Sequence, residues 1–152
     1  MADDIERRYI VAQDLALEER DGKPPVIRGH AAVFNQMSED LGGFREQITP
    51  GAFTEAIQKD DVRALIDHLS HLILGRNTAG TLRLAEDAHG LAVEIEPPDT
   101  SYARDLVVSI KRGDITQMSF GFSVRPGGQD WAKDDEGRYI RTLKRLRLFD
   151  VS

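Results

Sequence analysis

The chain has 152 residues, 40% of them hydrophobic and 30% charged, which is typical of one folded domain with its own core. It contains no cysteine, and this excludes disulfide frameworks, cysteine nucleophiles and thiolate metal sites. The formal net charge of −6 argues against a nucleic-acid binder, and no apolar run approaches the roughly 20 residues that a membrane-spanning helix requires.

The first half of the chain is predicted to consist mainly of short strands. Residues 1–14 carry charges with few periodic apolar positions, and we interpret them as a flexible lead-in to a single domain over 15–152. Alternating apolar and polar residues then predict strands at 15–19, 26–34, 44–48 and 62–68. A short helix is expected to begin at Thr49 and Pro50, since threonine caps helices and proline is tolerated at their first position. The conformation of 69–75 is left open.

The second half adds further strands and the clearest helix. The predicted strands are 81–84, 91–96, 115–124, 131–133, 138–143 and 146–151. The helix over 99–112 has a cap at Asp99 or Thr100, and Gly113 is placed to end it. The chain stops directly after its last strand, which indicates a truncated or processed product. These elements predict a β-rich α+β domain, either a barrel or a strongly curved sheet with helices outside.

The strand 115–124 separates large side chains from small ones. One face carries Thr116, Met118, Phe120, Phe122 and Val124. The opposite face carries Gln117, Ser119, Gly121 and Ser123. Ser119 is therefore placed to present its hydroxyl to a ligand in a cleft. On alternation alone, the alternative is a serine that faces solvent on a half-buried strand, as most serines do.

A serine nucleophile needs a base within hydrogen-bond reach and a group that orients this base. Among the histidines, His68 ends a predicted buried strand, whose rigid backbone can aim an imidazole into a cleft. His71 is its rival, whereas His30 and His89 are interpreted as a strand residue and a solvated turn residue. His68 and His71 could share a zinc ion, but no HExxH motif or acidic cluster accompanies them.

The candidate carboxylates for orienting the base are Asp67, Glu94, Glu96 and Asp150. Alternation along the predicted strand places Asp150 on the same face as the apolar Leu146 and Leu148. A carboxylate on a strand face that points into the core must be paired or hydrogen-bonded. Pairing with a nearby arginine is the alternative explanation. A solvated strand face accounts for Glu94 and Glu96.

Seven segments of the sequence, in one order and without large gaps, point to a family. They are 29–35 (GHAAVFN), 48–53 (ITPGAF), 64–68 (ALIDH), 74–84 (LGRNTAGTLRL), 98–106 (PDTSYARDL), 112–122 (RGDITQMSFGF) and 147–152 (RLFDVS). Together they resemble the prohead (capsid maturation) serine proteases of tailed double-stranded-DNA phages.

This resemblance implies a fold like that of herpesvirus assemblin, a closed or nearly closed β-barrel surrounded by helices. It implies Ser119 as the nucleophile, His68 as the base and, by position, Asp150 as the third catalytic member, with Glu94 or Glu96 as alternatives. No cofactor or metal is implied. The chain departs from the family at residues 67–70, where Asp-His-Leu-Ser replaces the common Asn-His-Asp-Pro.

The resemblance predicts a serine endopeptidase that processes phage capsid precursors. The implied substrates are the scaffolding region of the major capsid protein and the protease's own termini, cleaved inside proheads assembling in the host cytoplasm. Herpesvirus relatives form dimers, so self-association is a further expectation. The alternative is a non-enzymatic capsid- or scaffold-binding module on the same barrel. The two differ in whether His68 and Ser119 converge to hydrogen-bond distance.

Overall fold

The computed structural model describes residues 4–12 and 14–152. The strands are β1 (Glu6–Val11), β2 (Ala16–Arg20), β3 (Lys23–Val33), β4 (Phe44–Ile48), β5 (Arg63–Ile66), β6 (Leu69–Arg76), β7 (Leu82–Glu86), β8 (Gly90–Ile95), β9 (Gln117–Val124), β10 (Gln129–Lys133), β11 (Tyr139–Leu143) and β12 (Leu146–Val151). The helices are α1 (Thr54–Lys59) and α2 (Ser101–Arg112), and a 3₁₀ turn spans Asn77–Ala79.

These strands form three sheets. The largest has five strands in the order β1-β9-β12-β5-β6, the second has four in the order β2-β3-β8-β7, and the third has three in the order β10-β11-β4. In the largest sheet β9 is antiparallel to both of its neighbours, whereas β12 runs parallel to β5. The segments with the candidate site residues are thus neighbours in this five-stranded sheet.

The expectation of a closed or nearly closed barrel surrounded by helices is wrong. Closure requires the two edge strands of a sheet to hydrogen-bond to each other. Within the described residues, however, β1 pairs only with β9 and β6 only with β5, so the sheet is open. The two α-helices, of 6 and 12 residues, are too few to surround a barrel. Alternation along single strands located ten of the twelve strands, missing β1 and β6, and carried no information on which edges pair.

The apolar core lies between the sheets. Phe120 of β9 packs against the ring of Phe53, with 5.5 Å between centroids, and against that of Phe122, with 5.1 Å. On β3, Gly29 lacks a side chain, and the Met118 sulphur lies 3.1 Å from the position that its Cβ would take. The large-residue face of β9 is therefore buried, as its alternation predicted.

The interpretation of residues 1–14 as a flexible lead-in is wrong for residues 6–11, which form β1 along β9. Their charges belong to an ion-pair network with β4 and β11. Arg8 donates to Glu46 at 2.8 Å, and Arg141 donates to Glu6 at 2.7 Å and to Glu46 at 3.3 Å. The charges suggested exposure because a single sequence does not reveal that Glu6 and Arg8 have partners on distant strands. Residues 1–3 and 13 lie outside the described residues.

Helix α2 agrees with its prediction at both ends. The Thr100 side chain accepts a hydrogen bond from the backbone N–H of Ala103, and Gly113 ends the helix with φ at +82°. The predicted hairpins over 81–96 and 131–143 are also present. In the described chain, neither helix has the length and apolar content needed to cross a membrane.

Candidate active site

Ser119 lies in β9 with its backbone fixed on both sides. Its N–H donates to the carbonyl oxygen of Ser152 at 3.0 Å, and its own carbonyl accepts from the Ser152 N–H at 2.9 Å. Across the other edge of β9, Tyr9 is its partner in β1. Only 2% of Ser119 is exposed. The predicted solvent-facing serine is therefore excluded, and its hydroxyl is held on a rigid strand.

His68 lies in a tight turn rather than at the end of a strand. The predicted strand over 62–68 stops at Ile66, which pairs with Leu69, and only two residues connect β5 to β6. Asp67 and His68 both have positive φ, +53° and +56°, the pattern of a type I′ hairpin turn. The backbone N–H of His68 donates to the Ser152 hydroxyl at 3.1 Å. This turn is costly for non-glycine residues, yet it fixes the imidazole beside the sheet.

A β-bulge places Asp150 on the same face as Ser119. Leu148 of β12 pairs with Phe122 of β9. Asp150 lies two residues after Leu148, yet it pairs with Gly121, which lies only one residue before Phe122. Phe149 is therefore the extra residue of the bulge, and the alternation of β12 reverses there. The prediction that Asp150 shares the core-facing side with Leu148 is wrong for this reason.

The three side chains form a continuous chain of hydrogen bonds. Ser119 Oγ lies 2.5 Å from His68 Nε2, and His68 Nδ1 lies 3.0 Å from Asp150 Oδ1. Because an ionised carboxylate only accepts, the tautomer that satisfies both contacts carries its proton on Nδ1 and accepts the serine hydroxyl at Nε2. The side chains of His68 and Asp150 are 6% and 12% exposed. Little water therefore competes for these contacts.

Three further residues shape this site, and sequence reasoning missed them. Ser152 holds both Ser119 and His68, and Gly121 faces Asp150 across the strand pair. The ring of Tyr9 meets the His68 ring edge-on, with 5.8 Å between centroids. The only sequence signal for any of the three was the row of small residues on one face of β9, which includes Gly121. Nothing local marked Tyr9 or Ser152.

The other histidines lie outside this arrangement. His71 is exposed on β6. His30 contacts Asp14 through Nδ1 and Asp87 through Nε2, the latter at 2.8 Å, and its ring lies edge-on to His89 at 4.7 Å. We call these residues the His30 cluster. Burial favours neutral His30, but its hydrogen bonds to the two carboxylates outweigh this and raise its pKa.

The alternative carboxylates have other partners. Arg83 donates to Glu94 at 2.6 Å and to Glu96 at 2.7 Å, on the four-stranded sheet. Asp67 is exposed in the turn beside His68. Among the four candidates, only Asp150 has a described contact with His68. As for the zinc alternative, no group of three or more His, Asp or Glu in the described residues is placed to hold a metal ion.

Comparison with known proteins adds a family to this geometry. The family described as Caudovirus prohead serine protease matches residues 13–152. A curated relative, the prohead protease of Enterobacteria phage HK97, is 34% identical over 140 residues. That match covers 86% of this chain and 56% of the relative, so the chain spans about half the length of the curated protein. No solved structure matches the chain.

Proposed function

Because the chain belongs to the caudovirus prohead serine protease family, we propose that it is a serine endopeptidase that cleaves capsid precursors during prohead maturation. The observation that carries this proposal is the contact of Ser119 Oγ with His68 Nε2, backed by the contact of His68 Nδ1 with Asp150. A nucleophile, a base and an acid that orients the base are the parts that acyl transfer from a peptide requires.

In the proposed reaction, Ser119 Oγ attacks the scissile carbonyl carbon while His68 Nε2 accepts the hydroxyl proton. The tetrahedral intermediate then expels the amine, which takes that proton from His68 as the C–N bond breaks. Water next attacks the acyl-serine, His68 again accepts a proton, and returning it to Ser119 releases the acid product. Throughout, Asp150 holds the imidazole in the Nδ1-protonated tautomer and stabilises the imidazolium.

The proposed substrates are the scaffolding region of the major capsid protein precursor and the termini of the protease itself, cleaved inside assembling proheads in the host cytoplasm. The family and the name of the HK97 relative support this assignment. A non-enzymatic capsid-binding module gives no reason for a buried serine to contact a histidine that is itself paired with a carboxylate. The geometry therefore favours the enzyme.

The test is co-expression of the chain with its major capsid protein precursor. Ser119→Ala removes the nucleophile and is expected to reduce cleavage by at least about 10⁴-fold. Ser123→Ala, which removes another buried serine from the same strand, is the matched control and should cleave like the wild type. A fluorophosphonate should label the wild type and Ser123→Ala but not Ser119→Ala. Undiminished cleavage by Ser119→Ala would refute the proposal.

A further inference from the structure

A cavity of about 370 Å³ lies beside Ser119, at the beginning of β9. Ser119 and Ser152 form part of its wall, and Leu65 contributes from β5. Helix α2 covers another side with Leu106 and Ile110. The volume falls within the usual range for pockets that bind small molecules or side chains.

The lining of this cavity selects against charge. Most of its described lining residues are aliphatic, and none of them is a lysine or an arginine. Its one carboxylate, Asp67, is exposed in the turn before His68. A charged group moved into this space would lose its hydration without gaining a buried partner, which is unfavourable. An apolar group would instead be stabilised by the surface that it buries.

The position of the cavity relative to His68 indicates which part of a substrate enters it. The leaving amine must face His68, because it takes its proton from Nε2. Ser119 lines the cavity, but His68 is not among the described lining residues. A peptide whose leaving amine faces His68 would therefore direct its acyl side, which lies on the other side of the scissile bond, towards the cavity.

We propose that this cavity binds a bulky apolar side chain, of leucine to phenylalanine size, on the residue that supplies the scissile carbonyl. This inference rests on the proposed function and specifies its substrate class. A missing or added methylene in an apolar pocket changes specificity by about 10- to 200-fold. Leucine or phenylalanine should therefore be preferred over alanine by about tenfold or more.

The experiment uses p-nitrophenyl esters of N-acetyl amino acids, which differ only in the acyl-side chain. We expect the rates for the Leu or Phe ester, after subtraction of the Ser119→Ala background, to exceed that for Ala by about tenfold. The Lys and Glu esters should be slower than Ala. A faster Lys or Glu ester, or equal rates for all esters, would refute the inference.

Failure of the proposed function has a different signature. It would appear as no ester hydrolysis above the Ser119→Ala background and no fluorophosphonate label on Ser119. Hydrolysis that depends on Ser119 but shows no apolar preference would refute the pocket alone.

A pair of variants on α2 tests whether the preference for apolar acyl-side chains arises in this cavity. Ile110→Phe adds bulk to the cavity wall and should bring the Leu-to-Ala rate ratio towards one. Val108→Phe adds similar bulk on the same helix at a position that is 55% exposed, and should keep the wild-type ratio. If Ile110→Phe fails to fold, Ile110→Ala should shift the preference from Leu to Phe because it widens the cavity. An unchanged ratio in a folded Ile110 variant would refute the assignment.

Discussion

The carboxylate of Asp150 occupies space that any side chain at Gly121 would need. A Cβ at residue 121 would lie 2.4 Å from Asp150 Oδ1, far inside van der Waals contact. The two residues are paired across β9 and β12, directly after the bulge. Glycine at this position is therefore a condition for the contact between Asp150 and His68.

Gly121→Ala is accordingly expected to displace Asp150 and to lower kcat by about 10²-fold, as misplacement of a catalytic group by about 1 Å can do. KM should change much less, because the substrate cavity is not altered. Ser123→Ala, at another buried residue of β9 that does not line the cavity, is the control and should keep the wild-type kcat and KM. A rise in KM with kcat unchanged would contradict the positioning role.

Asp150→Asn tests whether Asp150 holds His68 in the tautomer that carries its proton on Nδ1. The amide can donate to His68 Nδ1, which favours the proton on Nε2 and removes the acceptor for the Ser119 hydroxyl. We expect kcat to fall by about 10³- to 10⁴-fold with the fold intact. Asp61→Asn, which alters a surface partner of Arg76, is the matched control and should retain activity. Activity of Asp150→Asn within about tenfold of the wild type would show that another group orients His68.

Glu46→Ala tests the network that fastens β1. It removes a carboxylate that accepts hydrogen bonds from Arg8 and the buried Arg141. Both guanidinium groups keep Glu6 as a partner, so we expect a loss of about 3 kcal/mol in the free energy of unfolding, at the low end for a broken buried ion pair. Urea denaturation of the wild type and of Glu46→Ala measures this difference in the free energy of unfolding. Lys59→Ala, at an exposed pair on α1, should leave the midpoint unchanged; an equal effect of the two variants would contradict the prediction.

The His30 cluster should make stability depend on pH. The pKa of His30 is raised, so its contribution is fully present below about pH 6.5 and is lost as pH rises through the folded-state pKa. Hydrogen bonds from His30 and from the backbone N–H of Gly90 lower the pKa of Asp87 to about 2, so its contribution is present above about pH 3.8 and is lost towards pH 2. His30→Gln should therefore destabilise most between about pH 4 and 6.5.

Urea midpoints of the wild type and of His30→Gln, measured between about pH 3 and 9, test this expectation. The difference between the two proteins should shrink at both ends of the range. The matched control is His71→Gln, which removes an exposed imidazole on β6 outside the His30 cluster. A difference that is constant with pH would mean that His30 acts through packing alone.

The sequence predicted those features that local patterns encode. Alternation located β9 and placed Ser119 on the face opposite Phe120, and capping residues located both ends of α2. The family resemblance then selected Ser119, His68 and Asp150, and these are the side chains that the structure brings together. Residue spacing could not have selected them, since His68 lies 51 residues from Ser119 and 82 from Asp150.

The remaining features depend on pairing between distant segments. The bulge at Phe149 arises from the register of β12 against β9. The prediction from simple alternation along β12 could not include it and therefore placed Asp150 on the wrong face of the strand. The turn at Asp67 and His68 lacks the glycine that usually marks positive φ, and the strand was therefore extended through it. The openness of the five-stranded sheet likewise depends on which edges find partners.

The place of β12 in the sheet makes the site depend on completion of the whole sheet. Ser119 lies in β9 and His68 follows β5, and these two strands are separated by β12, the last of the described strands in sequence. Without β12 the sheet would be two fragments, with the nucleophile on one and the base on the other. Insertion of this strand joins the fragments and delivers Asp150 in the same event. Until β12 is paired, Ser119 and His68 therefore lie on separate fragments and Asp150 is absent from the site, so the hydrogen-bonded triad exists only in the finished sheet.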